Sequence, residues 1–507
     1  MMRSVRWLAF GSLAAAFAGL WLRPSAPPAV QQTLVGRVLS DSQPVPSARV
    51  RYQGQATFVL TDKQGRFTLA RYPPGDRRVT VSASGCFIGG ASAESRPLVI
   101  ELSRLPNDDC QTYAWVRAEP NPESPGNCGN CHREIYDEWR GSGHASSNHN
   151  RRFQNLFEGS DWQGTPGRGW SLLDEYPAGA GVCAACHAPT AKIDDVALPS
   201  GPGVDCDFCH KIRETRVEHA GLTHGRYAYD LLRPAEGQIF FGPLDDVDRG
   251  EDIYSPLQSE SRYCAGCHEG VVFGVHVYST WSEWLASPAR RQGRQCQTCH
   301  MTPSGKLTNL AAGNGGIERE ASTLASHTFL PGGREAMLRS AVRLAVRVDR
   351  AAQRLAVEVR LMAENVGHRL PTGFIDRHLV LAVEPLTAAG VAVDVVSGPK
   401  LPAAAGAELA GRPGRLFAKL LSDAEGRTAP FWRAGLTLDD TRLAPGKPET
   451  YRFVLPDDAA SIRVRLFYRR FWPEAARSKN WPSDEIVIVD ETHSLGSDGA
   501  VTAEGRD

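Results

Sequence analysis

The sequence predicts a multidomain chain: a small β-sandwich at the N-terminus, a central irregular region with short helices, and a second β-sandwich at the C-terminus. Three observations support this division. Apolar and polar residues alternate near both ends, five short cysteine motifs occupy the middle, and the two patterns do not overlap. At 507 residues the chain is long enough for about three domains of roughly 100–200 residues each. Apolar residues at 42% and charged residues at 22% are ordinary globular composition. A formal net charge of zero argues against a basic nucleic-acid binder and against an acidic disordered tail.

In residues 1–31, Arg3 and Arg6 precede an apolar run from Trp7 to Leu22, closed by Arg23 and the stretch RPSAPPAVQQ. Length and flanks suit an export signal peptide, with Ala16-Phe17-Ala18 as a small-x-small cleavage pattern. Cleavage there leaves a short apolar core, so an uncleaved N-terminal anchor is the alternative. No later segment is apolar over a length that spans a bilayer. The expectation is a periplasmic or otherwise exported chain, associated with the membrane if the first segment is retained.

Residues 32–104 form the first β region. Ala48, Val50 and Tyr52 alternate with Arg49 and Arg51, the period of a half-buried strand. Phe58 to Thr61 leads into the turn Asp62-Lys63-Gln64-Gly65, and Phe67 and Leu69 resume the alternation. The turn Pro73-Pro74-Gly75-Asp76 follows, then Val79 and Val81. Short strands at this spacing indicate a sandwich. The strings GRVLSDSQPVPSARV and TDKQGRFTLARYPPGDRRVTVSA resemble the carboxypeptidase regulatory-like (transthyretin-like) domain. That resemblance implies a seven-stranded sandwich without catalysis, used as a spacer or adhesion module.

Residues 105–127 are rich in Pro and Asn and read as a linker. The central region covers 128–335 and has many Gly, Pro and polar turns. Its short helical pieces include Arg133 to Arg140, with Ile135, Tyr136 and Trp139 on one side, and the stretch Thr280 to Leu285 ahead of Pro288. In 336–495 alternation returns. Val342, Leu344, Val346 and Val348 face one way, as do Leu355, Val357, Val359 and Leu361, and Ile462, Val464 and Leu466 alternate with Arg463 and Arg465. These are antiparallel strands with one wet face. Residues 496–507 are a tail.

Ten of twelve cysteines fall into five copies of one pattern. They are Cys128-Gly129-Asn130-Cys131-His132, Cys183-Ala184-Ala185-Cys186-His187, Cys206-Asp207-Phe208-Cys209-His210, Cys264-Ala265-Gly266-Cys267-His268 and Cys296-Gln297-Thr298-Cys299-His300. Two thiols at this spacing form thioether bonds to both vinyl groups of one haem, and the adjacent His binds the iron from below. Zinc sites do not require His after every second Cys, and a redox dithiol belongs in a thioredoxin-like βαβ context absent here. Five covalently bound haem c groups are therefore expected, and their propionates make the assembled protein more acidic than its sequence. The central region has too little apolar side chain for a conventional core, so the porphyrins must supply much of it.

Cys86 and Cys110 lie upstream of every motif. An even remainder in an oxidising compartment points to a disulfide, worth roughly 3–4 kcal/mol in the chain-entropy model. Two free buried thiols are the alternative.

The five proximal histidines leave nine others. A second His on an iron gives a closed, low-potential haem suited to electron transfer, whereas Met raises the potential. Beyond the initiator pair only Met301, Met337 and Met362 are present, and Met301, next to His300, cannot reach the opposite face of the same haem. Bis-His ligation is the default. The strings CGNCHREIYDEWRGSGHASS, GVDCDFCHKI, YCAGCHEGVVFGVHVYSTWSEWLASP, RQCQTCHMTP, SHTFLPGG and GHRLPTG resemble the multihaem cytochrome c family of the cytochrome c-554 kind, over roughly residues 127–375. The resemblance implies His144, His327 and His368 as distal ligands. His276 is a fourth candidate, and either His224 or His219 a fifth. His149, His378 and His493 are not expected to bind iron. Five motifs and two β regions depart from the family's four-haem carrier that partners hydroxylamine oxidoreductase, so that partner does not carry over.

Three functions are compatible with these features: an electron carrier between redox partner proteins, a multihaem reductase of a small nitrogen or sulfur oxyanion with one open haem, and a scaffold with the haems as a conduit. Pentahaem nitrite reductases mark their catalytic haem with lysine, usually as CxxCK, whereas all five motifs here end in His. The carrier is the favoured expectation, with no catalytic residue assigned.

Overall fold

The structure is a computed structural model that describes residues 33–70, 77–177, 181–191, 201–349, 355–433 and 435–496. The signal or anchor segment, the turn at Pro73 to Asp76 and the tail from 497 lie outside the described residues.

Two sheets form the N-terminal region. Strand Thr33–Ser40 pairs antiparallel with Arg66–Ala70 and Gln43–Pro44, and parallel with Val99–Glu101. The second sheet runs Val59–Leu60, Arg49–Tyr52, Arg78–Ser82, Gly89–Ser92, all antiparallel. Val38, Phe67, Leu69 and Ile100 from the first sheet meet Val50, Tyr52, Val79 and Val81 from the second in one buried core. Alternate residues along each strand face it, because side chains of a strand point to opposite sides in turn. Cys86 is buried in that core as a thiol, and Cys110 is also free, its Sγ 3.4 Å from Thr112 Oγ1. The expected disulfide is not formed. Cys86 belongs to the packing of the sheets, while the Cys110 N–H is tied to the Arg233 carbonyl of the central region at 2.9 Å.

This region is not a free spacer. Asp245 takes Arg49 Nε at 2.5 Å and Arg51 Nη2 at 2.6 Å. Asp246 accepts the Gly54 N–H at 2.7 Å and pairs with Arg319 at 2.8 Å, both side chains being buried. Asp248 pairs with Arg78 at 2.5 Å. Asp246→Ala leaves Arg319 buried without its carboxylate, and removing one partner of a buried pair costs about 3–5 kcal/mol. Chemical denaturation of the haem-loaded protein should show earlier release of the N-terminal sheets; an unchanged midpoint would mean that the contact contributes nothing.

At the C-terminus, Val342–Asp349, Ala356–Ala363 and Pro448–Val454 form a three-stranded sheet. A five-stranded sheet runs Thr437–Asp440, Gly414–Ser422, His378–Thr387, Ala459–Arg469, Ile486–Ser494. Val357, Val359 and Leu361 pack against Leu379, Leu381, Val383 and Val464 between the sheets. The expectation of one wet face fails for the larger sheet. Val380, Ala382, Leu416 and Phe467 on its other face are covered by Leu401, Leu409 and Trp472, and strand His378–Thr387 is accordingly apolar almost throughout. Arg463 and Arg465 instead pair with Asp490 and Glu384 at 2.6 and 3.3 Å.

Between these regions lie short helices, 3-10 turns and two-stranded ribbons. The helices Arg133–Arg140 and Thr280–Leu285 form where their patterns place them. The C-terminal sheets are docked here through buried polar groups. Arg442 pairs with Glu283 at 2.7 Å. Lys479 Nζ, fully buried, donates to the carbonyls of Asn155, Ser160 and Arg168 at 2.8, 3.2 and 2.6 Å. Trp481 Nε1 donates to Asn155 Oδ1 at 2.8 Å.

Candidate functional site

Each cysteine motif adopts about one helical turn, as in Cys128–Cys131, Gly181–His187, Cys206–Cys209, Ala265–His268 and Cys296–His300. Residues three apart in a helix lie on one face, so each turn presents both thiols together, with the His next along. All ten motif cysteines and all five motif histidines line one cavity of about 1410 Å³. An ordinary small-molecule pocket is roughly 300–1,000 Å³. The motifs also meet one another. The thiols of Cys128 and Cys206, of Cys186 and Cys267, and of Cys264 and Cys296 are near enough to perturb one another's protonation.

Four motif imidazoles are held in the same way. Nδ1 of His132, His187, His210 and His300 lies 2.8, 3.0, 2.6 and 2.9 Å from the carbonyls of Leu310, Ser147, Phe241 and Phe329. Nδ1–H donation to a carbonyl fixes the tautomer and leaves Nε2 as the metal-binding nitrogen. The sequence gives no sign of these four carbonyls, because each comes from a segment distant in the chain, three from loops and that of Phe241 from strand Phe240–Gly242.

Of the five distal candidates, four line the cavity: His144, His224, His327 and His368. The His144 ring centre is 6.1 Å from that of His268, with the planes at 86°. His368 faces His300 at 6.3 Å and 25°. Two imidazoles that bind one metal ion from opposite sides, each about 2.0 Å away, have centres roughly 6 Å apart. Burial, and then the neighbouring His300, pushes His144 down to about 4, and burial, then His144, His300 and Arg377, pushes His268 down to about 3. Burial pushes His327 down to about 4. All three are thus neutral at physiological pH, the state in which imidazole binds a metal.

Local structure explains these positions. Ser142 Oγ accepts the N–H groups of His144 and Ala145 at 3.2 Å. Glu138, on helix Arg133–Arg140, accepts the His327 N–H at 2.6 Å. His224 Nε2 is buried with no hydrogen-bond partner among the described residues. Gly225 lets that turn approach the second motif: it has φ +55°, and a Cβ there would stand 2.1 Å from the Ala185 carbonyl oxygen. The loop bearing His368 is tied to helix Thr280–Leu285 by the Arg369 N–H and the Thr372 hydroxyl, which donate to Glu283 Oε2 at 3.1 and 2.8 Å. Arg442 completes that knot. Glu138, Glu283 and Arg442 were not legible as site residues; only their burial and partners reveal them.

His276 stands apart. It is on strand Val275–Ser279, its side chain is 39% exposed, and Nε2 lies 2.5 Å from Glu269 Oε1. It does not line the cavity. His219 is exposed and does not line it either. His149 is exposed, His378 is stacked on Trp472 at 4.4 Å, and His493 lies beside Glu491.

Residues 127–211 match the family model of cytochrome c554 and c-prime, and residues 33–87 match that of the carboxypeptidase regulatory-like domain. The motif turns, their shared cavity, the facing imidazoles and the unpartnered His224 nitrogen all fit covalently bound haem c. Such features are similar to those of multihaem c-type cytochromes. In overall fold the chain is similar to the crystal structure of a penta-heme cytochrome c552 from Thermochromatium tepidum, with a TM-score of 0.54 and 23% identity, covering 73% of this chain and 97% of that one. No curated protein matched the chain.

Proposed function

We propose that the chain is a pentahaem cytochrome that transfers electrons outside the cytoplasm, between redox partner proteins, through closely spaced and mostly bis-His haems. The observation that carries this is the pair of facing imidazoles, His144 with His268 and His300 with His368, in the cavity that all five motifs line. Bound haem supplies a one-electron iron couple; the protein holds the imidazoles, fixes their tautomers and screens them from water. Each motif's two cysteines bind one haem, and His132, His187, His210, His268 and His300 are its proximal ligands. His144 and His368 complete the fourth and fifth irons, with His327 and His224 as further distal ligands. His276 is left to Glu269.

The mutual influence of their thiols puts the first motif near the third, the second near the fourth and the fourth near the fifth. Haems attached at neighbouring motifs are near enough to exchange electrons. The flanking regions, 32–104 and 336–495, are read as β-sandwiches that clamp a haem domain of 128–335, the first of them joined through 105–127. The haem count is tested by a pyridine haemochrome assay with intact mass. Five haems per chain are expected, and four or fewer in fully matured protein would contradict the proposal. A second reading, reduction of a small nitrogen or sulfur oxyanion at one open haem, is favoured by the arginines on the cavity wall. A high-spin haem whose spectrum responds to nitrite or sulfite would establish it.

A further inference from the structure

Seven arginines line the cavity. Arg78, Arg249 and Arg319 are each closely paired, with Asp248, Asp252 and Asp246 at 2.5, 2.9 and 2.8 Å. Arg294 donates to the Cys299 sulfur at 3.4 Å. The other three, Arg334, Arg377 and Arg470, come from the C-terminal part of the chain. Arg334 is in the first turn of helix Gly333–Ser340, Arg377 directly precedes strand His378–Thr387, and Arg470 directly follows strand Ala459–Arg469. Among the described residues the one carboxylate in ion-pair range of the three is Asp484. It is 3.8 Å from Arg470 and is shared with Arg152 at 3.7 Å. Arg377 Nη1 donates to the Thr372 carbonyl at 3.0 Å, which cancels no charge.

A guanidinium stays protonated at any accessible pH, and sheltering it from water without a counter-charge is costly. Burial, and then the charges of Arg334 and Arg377, push Arg470 down to about 10, so both other cations lie within electrostatic reach of Arg470. Arg334 makes matters worse, since a cation in the first turn of a helix adds to the positive end of its dipole. Arg377 is close enough to His268 and Tyr278 to act on both electrostatically, which places this end of the cluster beside the fourth motif.

We propose that Arg334, Arg377 and Arg470 form a seat for a carboxylate or oxyanion on the cavity wall beside the fourth motif. Planar guanidinium groups match the paired oxygens of such ligands. Two carriers present this chemistry: the propionate of a bound haem, or a small free oxyanion. The proposal rests on the haem-binding reading above.

The test uses the full-length haem-loaded protein with R377Q, R470Q and R470K, and R347Q on an exposed strand face as control. Haem content is measured on every sample and all midpoint potentials by spectroelectrochemical titration, with and without sulfate or nitrite. With a propionate in the seat, R377Q and R470Q retain their haems and one midpoint moves to lower potential, because a lost cation favours oxidised iron. R470K restores most of that shift, R347Q shows none, and added anions change nothing. With a free oxyanion in the seat, sulfate or nitrite lowers one wild-type midpoint, and R470Q abolishes the response. Midpoints unchanged in both glutamine variants, together with insensitivity to anions, would overturn the seat. A haem count below five in the wild type counts against the underlying reading instead, and the midpoint comparison still decides the seat on the haems present.

Discussion

His368→Ala converts one haem of the loaded protein from low to high spin and leaves the rest unchanged. The imidazole sits 6.3 Å from that of the motif histidine His300, on a loop whose anchoring is independent of it. That loop is held by the Arg369 N–H, the Thr372 hydroxyl and two backbone bonds between Leu370 and Leu443 at 3.0 Å. The His368 side chain itself contributes one contact, from Nδ1 to the Arg369 carbonyl at 2.9 Å. Alanine should therefore remove a ligand without unfolding the loop. Electron paramagnetic resonance of the oxidised protein reads the change directly, and the potential of that haem should shift because axial ligands set it. His276→Ala should leave the same spectrum intact. A spectrum unaltered in His368→Ala would make the loop purely structural.

Expression without the haem-attachment machinery should give a protease-sensitive middle between two resistant β regions. The buried apolar clusters of the centre are small, such as Leu232, Ile239, Phe241 and Ile253, or Val204, Phe208, Ile212, Tyr229 and Leu257. Much of the remaining apolar surface faces the cavity, including Tyr136, Trp139, Trp281 and Phe329. Without porphyrin, that surface and the conformational entropy of a loop-rich chain both oppose folding. Binding energy from the cofactor is then folding energy. The terminal sheets have their own cores and should persist. Limited proteolysis with mass spectrometry separates the cases, and uniform protection of the apo-protein would refute the dependence.

The sequence carried the motif chemistry because CxxCH is a local pattern, and it carried the flanking strands because alternation is local as well. It also singled out His144, His327 and His368, and the structure puts all three on the cavity wall. The choice between His219 and His224 was not legible, since each lies at an end of a short 3-10 turn and only their burial and their place relative to the cavity separate them. His276 looked suitable by position, but Glu269, seven residues earlier, takes its Nε2 across the ribbon. The docking of the N-terminal sheets through Asp245, Asp246 and Asp248 was invisible for a different reason. Ion pairs between residues nearly 200 positions apart leave no periodicity to read.

A structure of the haem-loaded protein with iron located by anomalous scattering is the most direct test. It should show five irons in the cavity, one between His144 and His268 and one between His300 and His368. Fewer irons, or either pair without an iron between its rings, would contradict the assignment of this chain as a pentahaem cytochrome with bis-His irons at its fourth and fifth motifs.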